Sequence, residues 1–146
     1  MFNDCTSLTQ APELPATTLA NYCYNSMFNG CTSLTQAPEL PATTLVDLCY
    51  DHMFNGCTKI DHILWKSKTI PSSTYCRDWL NGVSAAGTFE YIDPDLDASS
   101  ISRNASGVPS GWTIKYLRPK PSLVFSINGK AVTSLMIDGK AVTKLG

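Results

Sequence analysis

Residues 1–26 are followed at once by a near-copy of themselves. The first stretch reads MFNDCTSLTQAPELPATTLANYCYNS and the second, residues 27–52, reads MFNGCTSLTQAPELPATTLVDLCYDH. Twenty of the 26 positions are identical, including the whole run from Cys5 to Leu19 against Cys31 to Leu45. A third copy opens with MFNGCT at Met53 and then diverges. Ile60 stands where Leu8 and Leu34 stand, and Tyr75-Cys76 returns near the end. A degraded fourth start reads Trp79-Leu80-Asn81-Gly82. This self-similarity constrains the fold more than composition does. One such unit cannot bury its own apolar stripe, so neighbouring copies must share a core.

A period of 26 falls within the leucine-rich-repeat range of about 20–29 residues. It predicts an α/β repeat solenoid, right-handed, with one short strand and one short helix per turn. Leu8-Thr-Gln-Ala-Pro-Glu-Leu14 reads as the strand and its exit, with Leu8, Ala11 and Leu14 facing inward. The Pro confines it to a short strand or a strand end. Thr17 or Thr18 would cap a helical turn, and Leu19, Cys23 and Met27, four apart, would share its buried face. Asn29-Gly30 and Asn55-Gly56 would end it with a left-handed residue. Residues 8–13, 34–39 and 60–65 are then expected side by side in one parallel sheet, with Leu8, Leu34 and Ile60 stacked.

The MFNGCTSLTQAPELPATTL units and the later AGTFEY and GVPSGWTIKYL segments, within residues 86–117, resemble the BspA-type leucine-rich repeats of bacterial surface proteins. The resemblance covers roughly residues 1–117. It implies a curved solenoid with a C-terminal cap, displayed at the cell surface or outside the cell. It also implies adhesion, by protein–protein interaction with a host or neighbouring cell. It brings no catalytic residues.

The expected organisation is repeats over 1–78, starting at 1, 27 and 53, then a cap over 79–117, then a linker and small β-meander tail over 118–146. Trp79, Phe89, Tyr91, Ile92, Trp112 and Ile114 would plug the last turn. Arg118-Pro-Lys-Pro121 reads as a stiff basic linker. Beyond it a ten-residue segment from Ile127 recurs from Ile137 with seven matches. Its Asn128-Gly129 and Asp138-Gly139 pairs are strong hairpin turn signals. They divide the tail into strands at 123–127, 131–137 and 141–145.

The net charge of −1 argues against a nucleic-acid partner. Its distribution is uneven. Residues 1–58 hold five acids and no Lys or Arg, whereas residues 115–146 hold six basic residues against Asp138 alone. A basic tail beside an acidic repeat region suggests self-association through the tail, or anchoring in a phage or surface fibre as the alternative role. No run approaches the ~18 apolar residues of a transmembrane helix. No basic and apolar leader opens the sequence. Met1 shares the phase of Met27 and Met53, so the sequence is expected to begin inside a repeat.

Six cysteines fall into two sets, Cys5, Cys31, Cys57 and Cys23, Cys49, Cys76, spaced as ladders. No Cys-x-x-Cys pair suggests zinc. Buried reduced thiols are the favoured reading, with rung-to-rung disulfides the alternative for an exported protein. Asp93-Pro-Asp-Leu-Asp97 invites calcium, but Ala98 and Asn104 occupy the positions where the loop needs Gly and Glu. Asn104-Ala-Ser106 is a glycosylation sequon by pattern alone. His62 beside Asp61 could form an acid–base pair, yet no nucleophile motif accompanies it. The reading is therefore a protein-binding module, not an enzyme, with no metal or cofactor. If Leu8 and Ala11 face inward, Thr9, Gln10, Thr35, Gln36, Asp61 and His62 form the outward binding surface.

Overall fold

Alternate amides in each copy bond to the copy that follows. Tyr22, Tyr24, Ser26, Phe28 and Gly30 donate their N–H groups to the carbonyls of Asp47, Cys49, Asp51, Met53 and Asn55. The intervening amides of Cys23, Asn25, Met27, Asn29 and Cys31 each bond back three residues. The second copy repeats the pattern toward the third, with Tyr50, His52, Phe54 and Gly56 donating to Tyr75, Arg77, Trp79 and Asn81. Stacking of near-identical copies thus satisfies the backbone of both partners. The computed structural model describes residues 1–118 throughout and, beyond them, the backbone of residues 124–127, 130–137 and 140–145.

The α/β leucine-rich-repeat solenoid expected from the period is not formed. Among the described residues the helices are α1, the four residues Ser73–Cys76, and a 3-10 turn at Ala98–Ser100. None lies where Leu19, Cys23 and Met27 were expected to share a helical face. The reason is a left-handed residue at every fourth position. Tyr22, Ser26 and Gly30 have φ of 60°, 51° and 73°, and Leu48, His52 and Gly56 have 51°, 51° and 75°. A right-handed helix cannot pass through them, and at a non-glycine residue that conformation costs about 1–2 kcal/mol. The hydrogen bonds to the next copy offset the cost. The result is a succession of tight turns.

The expected three-strand sheet over 8–13, 34–39 and 60–65 is also corrected. The first two segments meet only at a single parallel bridge between Gln10 and Gln36. The third yields β1, His62–Trp65. Proline explains the difference. Pro12 and Pro38 lack the N–H a ladder needs, whereas the equivalent position in the third copy is Leu64. Once the proline is gone the strand forms, and the sheet grows forward. β1 pairs in parallel with β2, Gly87–Tyr91, which pairs in parallel with β3, Trp112–Tyr116. Phe89, Tyr91, Trp112 and Ile114, expected only to plug the end, therefore lie in the sheet's second and third strands. In the tail β4, Val124–Ile127, β5, Lys130–Ile137, and β6, Lys140–Leu145, form an antiparallel sheet in that order. Of the expected linker Arg118–Pro121, residues 119–121 lie outside the described residues, as do the expected turns at 128–129 and 138–139.

The core follows the same spacing. Phe2, Phe28 and Phe54 stack nearly parallel, with ring centroids 5.6 and 5.8 Å apart. Tyr24 stacks on Tyr50 at 6.0 Å. Each such pair adds about 0.5–1.5 kcal/mol beyond the area it buries. Leu34 and Ile60 are fully buried, and Leu8 packs against the same core while partly exposed. Phe28 lies between the rings of Phe2 and Phe54.

The two cysteine sets do not behave alike. Cys31 and Cys57 donate their thiols to the carbonyls of Phe2 and Phe28, at 2.9 and 3.0 Å. Cys76, by contrast, is displaced by one position from the Cys23 and Cys49 column. The bond from Tyr50 N to Tyr75 O puts Tyr75 opposite Cys49 and leaves Cys76 in the tyrosine column. A small thiol there frees space that rings occupy: Trp79 packs on Tyr50 at 6.4 Å and on Trp65 at 5.3 Å. All six cysteines are free thiols. Burial raises the thiol pKa of Cys31, Cys49 and Cys76 and pushes Cys57 up to about 12.

Candidate functional site: a polar groove beside the parallel sheet

Strand alternation sets which side chains point outward. In β1, Ile63 and Trp65 are buried, so His62 and Leu64 face away from the core. In β2, Phe89 is buried and Glu90 faces out; in β3, Trp112 is buried and Lys115 faces out. The register places Glu90 beside both Leu64 and Lys115. His62 reaches diagonally to Glu90, with Nε2 3.0 Å from Oε2. Lys115 Nζ lies 3.5 Å from the other Glu90 oxygen. The His62 hydrogen bond, helped by the positive charge of Lys115, holds the Glu90 carboxyl below its ordinary range.

Next to this row is a groove of about 440 Å³ between the second copy and β1. Thr35, Gln36, Asp61 and His62 line it together with Ala37, Glu39 and Leu64. All six residues expected to form a binding surface are exposed. Four of them meet in this groove, and Thr9 and Gln10 belong to the copy before it. Thr9 is tied to the second copy through its carbonyl, which accepts from both the amide and the hydroxyl of Thr35. The Thr35 hydroxyl is therefore spent on holding two copies together. Gln10 and Gln36 are joined by their backbone bridge. Glu39, one of the lining residues, pairs with Lys66, with Nζ 2.8 Å from Oε2.

Sequence reasoning named His62 but not its partners. It set His62 against Asp61, its immediate neighbour, whereas the sheet pairs it with Glu90, 28 residues on. A 26-residue offset from Leu64 leads to Glu90, so extending the period past the visible repeats would have found it. A second cluster also carried no sequence signal of its own. The Asp51 carboxylate is buried with a side-chain exposure of 3%. It accepts from Asn25 Nδ2 at 2.6 Å and from Arg77 Nε and Nη2 at 3.0 and 3.1 Å, with His52 Nδ1 at 2.9 Å. Asn25, Asp51 and Arg77 are spaced by 26, so this cluster clamps three successive copies. Charge-assisted bonds of this kind are the stronger ones.

The aspartates of 93–97 are used locally. Asp93 accepts from the amide of Asp95, and Asp97 caps the 3-10 turn through Ser99 and Ser100. Hydrogen bonds from Ser100 and Ser99 lower the Asp97 carboxyl pKa. Among the described residues no three His, Cys, Asp or Glu side chains gather as a metal site. Asn104 Oδ1 accepts from the amides of Ser106 and Gly107, and the Ser106 hydroxyl accepts from the amide of Asp78. Among the described residues no helix is long and apolar enough to cross a membrane. Compared with known protein families, curated proteins and solved structures, the protein matches none.

Proposed function

We propose that the protein is a non-catalytic binding module that holds a protein partner on its polar face. The observation that carries this reading is the open groove into which Thr35, Gln36, Asp61 and His62 converge, beside the His62–Glu90–Lys115 row. Such a face offers hydrogen-bond donors, acceptors and both signs of charge, which suits a folded protein surface better than an apolar ligand. We assign it to the cell surface or extracellular space, with a host or neighbouring cell as the partner's source. One groove is small against the roughly 800 Å² per partner of a standard interface. Useful affinity then comes from many copies acting together.

The test uses the full-length protein at high density on beads, offered extracellular-matrix proteins and intact cells. The wild type should retain one of them. A Gln36→Ala, His62→Ala double variant should retain it about tenfold less strongly, the loss of about 1.4 kcal/mol expected from one interface anchor. Retention no greater than on an inert protein, or equal retention by the double variant, refutes the reading.

A further inference from the structure

Three Asn-Gly pairs occupy the same phase of successive copies, Asn29-Gly30, Asn55-Gly56 and Asn81-Gly82. Their glycines share one conformation, with φ of 73°, 75° and 71°. Two hydrogen bonds pin the first two glycines. Gly30 N donates to Asn55 O at 2.7 Å and Gly56 N to Asn81 O at 2.8 Å. Thr32 N and Thr58 N then close on the carbonyls of Gly30 and Gly56, at 2.9 and 3.0 Å.

Both bonds are missing at Gly82 among the described residues. Leu80 N bonds to Ala105 O, so the acceptor in register for Gly82 N is Gly107 O. That carbonyl instead accepts from Trp79 Nε1 at 2.9 Å. On the other side, Ser84 N turns away from Gly82 and bonds to Ile60 O at 3.1 Å. Asn81 and Gly82 are exposed, whereas the earlier pairs are half-buried.

We infer that Asn81 is a modification site, where the fold releases a deamidation that it suppresses at Asn29 and Asn55. The nucleophile is the Gly82 backbone nitrogen. It loses its proton to a base in solution and attacks Asn81 Cγ. A C–N bond forms, the Asn81 Cγ–Nδ2 bond breaks, and the amide nitrogen leaves as ammonia after taking up a proton. Water then opens the resulting succinimide at either carbonyl, giving aspartate or isoaspartate. At Gly30 and Gly56 the same nitrogen first has to give up its bond to the neighbouring copy, which requires local opening. The new carboxylate appears in a cleft that Arg103 also lines.

The experiment incubates the full-length folded protein in mildly alkaline buffer and follows each site by proteolysis and mass spectrometry. The pair at 128–129 lies outside the described residues and is excluded from the comparison. Asn81 should convert about tenfold faster than Asn29 or Asn55, the factor expected when one or two backbone hydrogen bonds must open first. In denaturant the three rates should converge. Equal rates in the folded protein overturn the inference. So does an Asn81 preference that survives unfolding, because flanking sequence and not the fold would then set it.

Discussion

Glu90 receives His62 on one carboxylate oxygen and faces Lys115 with the other, so its charge holds the outward row of the sheet together. Its lowered pKa has a definite sign in stability. A carboxyl whose folded pKa lies below its free value adds stability above that value, and the contribution is lost as pH falls through the folded pKa. The free value is 4.5. Wild type should therefore be more stable than Glu90→Gln at neutral pH. The gap in urea midpoint should close as pH drops well below 4.5. A gap that stays constant into acid would show that the carboxylate charge plays no part. Asp51 acts differently at the same scale, because its carboxylate is buried and holds Asn25, Arg77 and His52 at once. Removing one partner of such a group is costly, since the rest is left buried without it.

At the scale of elements, proline and left-handed residues decide what each copy becomes. Pro12 and Pro38 limit the first two copies to a single bridge between them, and Leu64 lets the third become a strand. The facing of the short segment before these prolines can be tested with one pair of variants. Leu34→Ala should cost about 2–5 kcal/mol, as for a fully buried leucine. Gln36→Ala, at an exposed position, should cost under about 0.5 kcal/mol. Equal losses in denaturant midpoint would mean that the facing is wrong. The repeat itself and the inward positions Leu34 and Ile60 were legible in the sequence, because apolar identity recurs at a fixed spacing. The helix expected through Leu19, Cys23 and Met27 was not realised. Spacing by four marks a helical face only if the intervening backbone is right-handed, and Tyr22 and Ser26 carry no visible sign of positive φ. Glu90 was hidden for another reason. The 26-residue spacing continues from Leu64 to Glu90, but the residue types around it no longer match, so no sequence identity marks it.

Over the whole molecule, one arrangement supports both the core and the polar face. Copies meet through alternate amides, rings stack at the same spacing, and the clamp on Asp51 spans three of them. The groove exists because the second copy and β1 lie side by side, so any loss of stacking removes the site as well. Residues 1–58 are acidic and residues 115–146 are basic, so these two stretches carry opposite charge. Residue-resolved amide hydrogen exchange on the folded protein tests the stacking most directly. The amides of Tyr24, Phe28, Gly30, Tyr50, Phe54 and Gly56 should exchange only through large-scale opening, while that of Gly82 exchanges quickly. Exchange at Phe28 and Phe54 as fast as in the unfolded state would contradict the account.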